Sequence, residues 1–119
     1  MHNYKELKVW QKSRELVKFI YQLTQEYPKE EIYALTSQIR RAVISIPSNI
    51  AEGAGHTSKK EFSRYLGIAY ASSCELDTQL ILSYDLNFIN HDELNDSGNF
   101  IEELQKMLSG LIKSLEKKN

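Results

Sequence analysis

The sequence has little of what cross-links, breaks or anchors a polypeptide. It contains one cysteine, Cys74, so no disulfide can form within the chain. Only two prolines and five glycines occur among 119 residues. Charged or polar residues interrupt every apolar stretch well short of the ~18 residues that span a membrane, and the first residues lack the apolar segment of a secretory signal. These absences predict one cytoplasmic domain over residues 1–119, with no contact with a membrane.

The formal net charge is −1, which does not indicate a strongly basic nucleic-acid-binding protein. The charge is unevenly spread, however. Residues 1–60 hold 10 Lys and Arg against 6 Asp and Glu, whereas residues 61–119 hold 5 against 10. Either the two halves attract each other within a bundle or between subunits, or a basic face contacts an anionic partner. The pattern alone favours the first interpretation.

Apolar residues recur with helical spacing along four segments, and no segment has the alternation of a strand. The first helix is predicted from Tyr4 to Gln25. The second is predicted to begin near Lys29 to Glu31 and to end at Gly53-Ala54-Gly55, with a glycine suited to a left-handed cap. The third follows a capping box at Ser58 and Glu61. Asn90 and Glu93 give the same signal for the fourth. We therefore predict an all-α protein, an antiparallel up-down-up-down four-helix bundle.

The second helix contains a proline, Pro47. Its apolar positions from Ile32 to Ile50 keep one helical phase across that residue, which predicts a continuous helix kinked at the proline. The proline removes the hydrogen bond to the Val43 carbonyl, at a cost of ~3 kcal/mol in an ordinary helix interior. We expect the kink to serve packing against a neighbouring subunit and a nearby Ser or Asn to satisfy that carbonyl.

Several residues of the second and third helices lie away from the predicted core, where a lone bundle is normally polar. They predict a surface for self-association. The candidate interface residues are Ile44, Pro47, Ser48, Ala51, Ile68, Ala71 and Leu82.

A polar edge of the second helix lies beside these residues. Ser45, Asn49, Glu52 and Gly53 are predicted to form a structural motif, a hydrogen-bonded seam near the kink. Arg40 and Arg41 are candidates for phosphate contact, since guanidinium groups suit phosphate. Arg64 and His56 complete the candidate nucleic-acid site.

Nothing in the sequence indicates an enzyme. No Glu-x-x-His pair, zinc spacing, triad or phosphate-binding glycine loop occurs. Cys74 is predicted to be a buried, inert thiol. We expect no catalytic residue, metal, cofactor or small-molecule substrate.

Three runs carry a family resemblance: YKELKVWQ, QIRRAVISIPSNIAEGAG and EFSRYLGIAYASSCELDTQL. They resemble the four helix bundle protein family, which includes the proteins encoded in intervening sequences of bacterial 23S rRNA genes. The resemblance implies an antiparallel bundle, a ring-like homo-oligomer of five subunits and no enzymatic activity. Family members are similar to accessory proteins of diversity-generating retroelements, which are basic pentameric rings linked to RNA and a reverse transcriptase. RNA or a nucleoprotein is thus an implied partner.

Two positions depart from the family pattern. His56 stands where the family usually has Arg, which removes a permanent positive charge, and Ala71 stands where Gly is frequent. Two hypotheses therefore stay open. One is a ring that binds RNA or a nucleoprotein, and the other is a structural or protein-interaction scaffold that binds no nucleic acid.

Overall fold

Four α-helices and two short 3₁₀ turns form the regular structure of residues 3–117, the part of the chain that this computed structural model describes. The helices are α1 (Lys8–Thr24), α2 (Leu35–Ala54), α3 (Lys59–Asp85) and α4 (His91–Glu116), and the turns are Tyr4–Glu6 and Lys29–Glu31. Within those residues there is no strand. The prediction of an all-α four-helix bundle is confirmed.

Two apolar residues that helical spacing assigns to the core, Ile32 and Tyr84, lie outside it. Lys29–Glu31 forms a 3₁₀ turn rather than the start of α2, so Ile32 precedes the helix and is 44% exposed. Tyr84 belongs to the last turn of α3 and is 38% exposed. Helical periodicity thus overestimated the core at the ends of helices, where the neighbouring helix no longer covers the same face.

The two predicted capping boxes differ. At the start of α4, Glu93 N–H donates to Asn90 Oδ1 at 2.8 Å, and Asn90 N–H donates to Glu93 Oε1 at 2.9 Å. At the start of α3 only half of the box forms, since Glu61 N–H donates to Ser58 Oγ at 3.2 Å. The Glu61 carboxylate pairs with Arg64 at 3.2 Å instead of reaching back, because both side chains lie at the surface.

Each helix packs against the next in sequence, and α4 packs against α1. At one end of the molecule, Arg40 Nε donates to Thr24 Oγ1 at 3.0 Å, and the rings of Tyr27 and Phe88 lie 5.5 Å apart. At the other end, the last turn of α2 packs against Tyr65 near the start of α3. Short connections between antiparallel helices give this arrangement, in which each helix has two neighbours. The molecule measures 50 × 23 × 19 Å.

Apolar side chains from all four helices fill the interior. The largest fully buried ones are Leu16, Ile20, Ile39, Ile46, Ile50, Phe62, Leu66, Leu76, Leu80, Ile101, Leu104 and Leu108. Each contributes roughly 1.5–3 kcal/mol relative to an exposed side chain, which makes this layer the main source of stability.

A polar contact crosses between α3 and α4 beside this core. Ser73 is fully buried, and its Oγ accepts a hydrogen bond from Gln105 Nε2 at 2.9 Å. The next residue, Cys74, is exposed, so the prediction of a buried thiol is wrong. Successive helical residues point about 100° apart, so Ser73, which helical spacing assigns to the core, points inward and Cys74 points away from it.

Candidate interaction surfaces

The helix α2 runs without interruption through Pro47, as its apolar phase predicted. Asn49 Nδ2 donates to the Ser45 carbonyl at 2.8 Å, rather than to the Val43 carbonyl that the proline frees. The Ser45 hydroxyl forms a hydrogen bond with the Ser72 hydroxyl of α3. The edge of α2 is therefore a seam that ties the helix to itself and to its neighbour.

Gly53 marks the closest approach between α2 and α3. A Cβ atom on this residue would lie 2.6 Å from the Cβ of Tyr65 and 3.1 Å from Phe62 Cδ1. Real Cβ atoms do not approach so closely, so only glycine fits this crossing. The predicted end of α2 at Gly53-Ala54-Gly55 is confirmed, since the helix ends at Ala54, but the predicted left-handed cap is wrong, because within residues 3–117 no glycine has positive φ.

Three polar side chains lie next to Tyr65 at this crossing of α2 and α3. The His56 ring stacks on it, with centroids 5.2 Å apart and planes 18° from parallel. The Arg64 guanidinium carbon lies 4.6 Å from the ring centroid. A hydrogen bond to the Glu52 carboxylate raises the pKa of Tyr65, because the protonated phenol is the donor. Of the candidate nucleic-acid residues, the fold thus brings together His56 and Arg64.

The other two candidates, Arg40 and Arg41, lie on the first half of α2, away from this cluster. Arg40 is half-buried against α1, where it donates to Thr24 Oγ1 and lies 4.5 Å from the centroid of the Tyr21 ring. Arg41 is exposed and donates to Gln38 Oε1 at 3.2 Å. Arg40 therefore holds two helices together, and Arg41 is the freer of the pair.

Lysines gather at the end of the bundle where α1 and α3 begin and α2 and α4 finish. We call this the basic end, and it comprises residues 3–8, 52–64 and 110–117. Its charged residues are seven cationic ones (Lys5, Lys8, Lys59, Lys60, Arg64, Lys113 and Lys117) and four acidic ones (Glu6, Glu52, Glu61 and Glu116). Lys59, Lys60, Arg64 and Leu115 line one shallow depression of about 530 Å³ there. Sequence reasoning missed the lysines of α3 and α4, whose clustering depends on antiparallel packing.

The opposite end, which we call the acidic end, comprises residues 22–35 and 77–96. Within these ranges it holds eight acidic residues (Glu26, Glu30, Glu31, Asp77, Asp85, Asp92, Glu93 and Asp96) against one lysine, Lys29, and it adjoins Arg40 and Arg41 of α2, which hydrogen-bond to Thr24 and Gln38. Apolar side chains are also exposed there, most fully Tyr33 at 95% and Leu86 at 56%. This end repels polyanions and offers apolar area to a protein surface.

A mostly apolar groove of about 410 Å³ runs between α1 and α2. Four of the predicted interface residues line it from α2, namely Ile44, Pro47, Ser48 and Ala51. Tyr4, Trp10, Arg14 and Val17 line it from the N-terminal side. The α1–α2 groove, as we call it, joins residues that are distant in sequence.

A second groove, the α2–α3 groove, has a volume of about 540 Å³ and lies at the acidic end. It is lined by Glu31, Ala34, Leu35, Gln38, Gln79, Leu82, Asp85 and Leu86. Leu82 belongs to the predicted interface, and it is 46% exposed. Ile68 and Ala71 are also exposed and lie further along α3, outside both grooves. The predicted interface residues thus divide between two separate surfaces.

Among residues 3–117, no group of three or more His, Cys, Asp and Glu side chains is arranged to hold a metal ion. Among those same residues, no helix has the length and hydrophobicity required to span a membrane.

Comparison with known proteins places this geometry in a family. Residues 5–110 match a family model described as 23S rRNA-intervening sequence protein. A solved structure from Bacteroides thetaiotaomicron VPI-5482, described as a protein with unknown function from the S23 ribosomal protein family, is 28% identical. The alignment covers 88% of this chain and 95% of that one, with a TM-score of 0.82. No curated protein sequence matches.

Proposed function

We propose that this chain, which belongs to the 23S rRNA-intervening sequence protein family, is a non-enzymatic homo-oligomer that binds RNA or a nucleoprotein through its basic end. The observation that carries this proposal is the separation of charge along the bundle. Seven cationic residues cluster at one end and eight acidic residues at the other. Phosphate groups bind Lys and Arg largely through this electrostatic attraction.

The net charge of −1 does not argue against such binding, because the two ends are far apart. The molecule is 50 Å long, whereas charges are screened over about 8 Å at physiological ionic strength. A polyanion at the basic end therefore interacts with the local excess of cations rather than with the whole protein. The ring of Tyr65, with His56 and Arg64 beside it, adds a surface on which an unpaired base can stack.

Self-association is the second part of the proposal. The exposed Ile44 and Leu82 lie in two apolar grooves on neighbouring faces of the bundle, which is what a subunit interface requires. A ring of five copies, the assembly implied by the family resemblance, would repeat the basic end around one face. Several basic ends in one assembly raise the affinity for a long polyanion, although each end makes the same contacts as it does alone.

The acidic end supports a second candidate function, a scaffold that binds proteins and no nucleic acid. Exposed apolar side chains such as Tyr33 and Leu86 lie there among the carboxylates. A scaffold function would explain the exposed apolar side chains at the acidic end, whereas RNA binding would explain the cationic residues at the basic end. The two functions differ in a single measurable property, the formation of an RNA complex.

Sedimentation velocity with a fluorescently labelled structured RNA at physiological salt tests the proposal. We expect the RNA to co-sediment with a species several times heavier than the 13.8 kDa chain. An oligomer that sediments while the RNA stays free would overturn RNA binding and favour the scaffold. A protein that remains monomeric at all concentrations would overturn the proposed assembly.

A further inference from the structure

An unpaired acceptor lies beside the α2–α3 groove. Gln79 is 8% exposed, and within residues 3–117 no donor is within hydrogen-bonding distance of its buried Oε1 atom. Its amide orientation is fixed by Glu75, because Nε2 donates to Glu75 Oε2 at 3.3 Å and a carboxylate can only accept. Buried acceptors nearly always have a donor in a complete assembly. Gln79 lines the groove, so an occupant that displaces the side chains covering this oxygen can supply the missing donor.

The rest of the groove specifies the chemistry of that donor. Its walls are apolar and include Leu82 and Leu86, which are 46% and 56% exposed. The carboxylates of Glu31 and Asp85 also line it. A side chain with an aliphatic stem and a cationic head satisfies both features, and a guanidinium has enough donors for two carboxylates and an amide oxygen together.

The α1–α2 groove presents such a side chain within a matching apolar surface. Arg14 lines that groove, is exposed and lies 5.6 Å from the centroid of the Trp10 ring. Lys18, one turn further along α1, is exposed as well. One groove is therefore apolar with two cations beside it. The other is apolar with the carboxylates of Glu31 and Asp85 beside it, which outnumber the one cation there, Arg41 on Gln38. The two are complementary in charge.

We propose that the α2–α3 groove of one copy receives Arg14 from the α1–α2 groove of the next copy, with the guanidinium donating to Gln79 Oε1 and pairing with Glu31 and Asp85. The proposal rests on the proposed self-association and names its two surfaces. The contact is heterologous, which is the kind that generates rings. Because the grooves lie toward opposite ends of the bundle, a ring closed in this way holds each bundle tilted to its symmetry axis.

Charge reversal tests the pairing. The variants Arg14→Glu and Asp85→Lys each place like charges together, and we expect either one to weaken association roughly tenfold or more. The double variant Arg14→Glu/Asp85→Lys restores opposite charges between copies, so its association should recover toward the wild-type value. Glu26→Lys is the matched control for Asp85→Lys, since it lies at the same end, and Lys8→Glu is the matched control for Arg14→Glu, since it lies on the same helix. Each control reverses one exposed charge outside both grooves. Sedimentation equilibrium gives the association constants, and circular dichroism verifies folding.

Gln79→Leu provides a second, independent readout. Removing an unpaired amide leaves the thermal midpoint of the isolated subunit unchanged or higher, whereas association should weaken several-fold because the guanidinium loses its acceptor. A purely structural role for Gln79 predicts the reverse, a less stable subunit with unchanged association.

The outcomes separate this inference from the proposed function. Two results would overturn the pairing in a wild type that assembles. One is that the single reversals assemble as well as their controls, and the other is that the double variant does not recover. Self-association stands in either case. If the wild type never assembles, the proposed assembly and the pairing both fail. Association of the wild type only with a different protein likewise overturns the pairing.

Discussion

The two ends of the bundle are built from the same four helices and yet differ in every property that decides binding. The basic end has seven cationic residues and a stacked aromatic ring, whereas the acidic end has eight acidic residues and exposed apolar side chains. The overall charge of −1 conceals this difference. In the proposed function, this separation lets one small helical bundle bind two kinds of partner, one at each end.

The largest effect is expected from Gly53, which shapes the basic end. Gly53→Ala forces the Cβ contact of 2.6 Å with Tyr65, so the free energy of unfolding should fall by about 1–3 kcal/mol. Gly110→Ala is the matched control, because nothing lies within 4 Å of its added Cβ and helix propensity should raise stability by up to about 1 kcal/mol. Urea denaturation measures both. Equal stabilisation in the two variants would contradict the close crossing of α2 and α3.

Removing charge from the basic end tests its role directly. Lys59→Ala/Lys60→Ala should weaken RNA binding roughly tenfold and reduce the slope of log K against log[salt] by roughly 1.5, because two phosphate contacts are lost. Lys29→Ala, at the acidic end, should change neither quantity. Fluorescence anisotropy at several salt concentrations measures both parameters. An effect of Lys29→Ala equal to that of the double variant would mean that RNA does not distinguish the two ends.

The two adjacent arginines sharpen the contrast between a structural and a binding role. Arg40→Ala should lower the free energy of unfolding by about 1 kcal/mol, since it removes the hydrogen bond to Thr24 and the contact with Tyr21. Arg41→Ala should change stability by less than about 0.5 kcal/mol, because its side chain is exposed. We expect unchanged RNA affinity for both in the same anisotropy assay. Weaker RNA binding by either variant would restore the sequence-based prediction of phosphate contact and extend the site beyond the basic end.

A small effect, on assembly alone, is expected at Pro47, which belongs to neither end. Pro47→Ala should leave the helical content unchanged in circular dichroism, since α2 is already continuous there. Association should weaken a few-fold, by less than about 1 kcal/mol, because Pro47 lines the α1–α2 groove. Normal assembly of this variant would show that the proline has no part in the interface.

The fold could be predicted from sequence because its signals are local. Helical spacing located the four segments, and the box at Asn90 and Glu93 fixed the start of α4 to the residue. Local signals failed where tertiary contacts decide the outcome. The exposure of Ile32, the exposure of Cys74 and the role of Gly53 all depend on where a neighbouring helix lies.

The candidate surfaces were harder to predict for the same reason. Sequence reasoning grouped Arg40 and Arg41 with Arg64, although α2 carries the pair toward the other half of the bundle. The start of α3 and the end of α4 are about fifty residues apart in sequence, and Lys60 and Leu115 line one depression only because the helices are antiparallel. Likewise, Gln79 gives no sequence signal, since an unpaired oxygen is visible only once its surroundings are known.

A photo-crosslink from each end tests the central claim most directly, because it leaves the charges in place. The photoreactive residue benzoylphenylalanine would replace Ser63 at the basic end or Tyr33, 95% exposed, at the acidic end. After irradiation with labelled RNA at physiological salt, we expect a protein–RNA adduct from position 63 and none from position 33. Adducts of equal yield from both positions, or an adduct from position 33 alone, would contradict the division of the bundle into a polyanion-binding end and a protein-binding end.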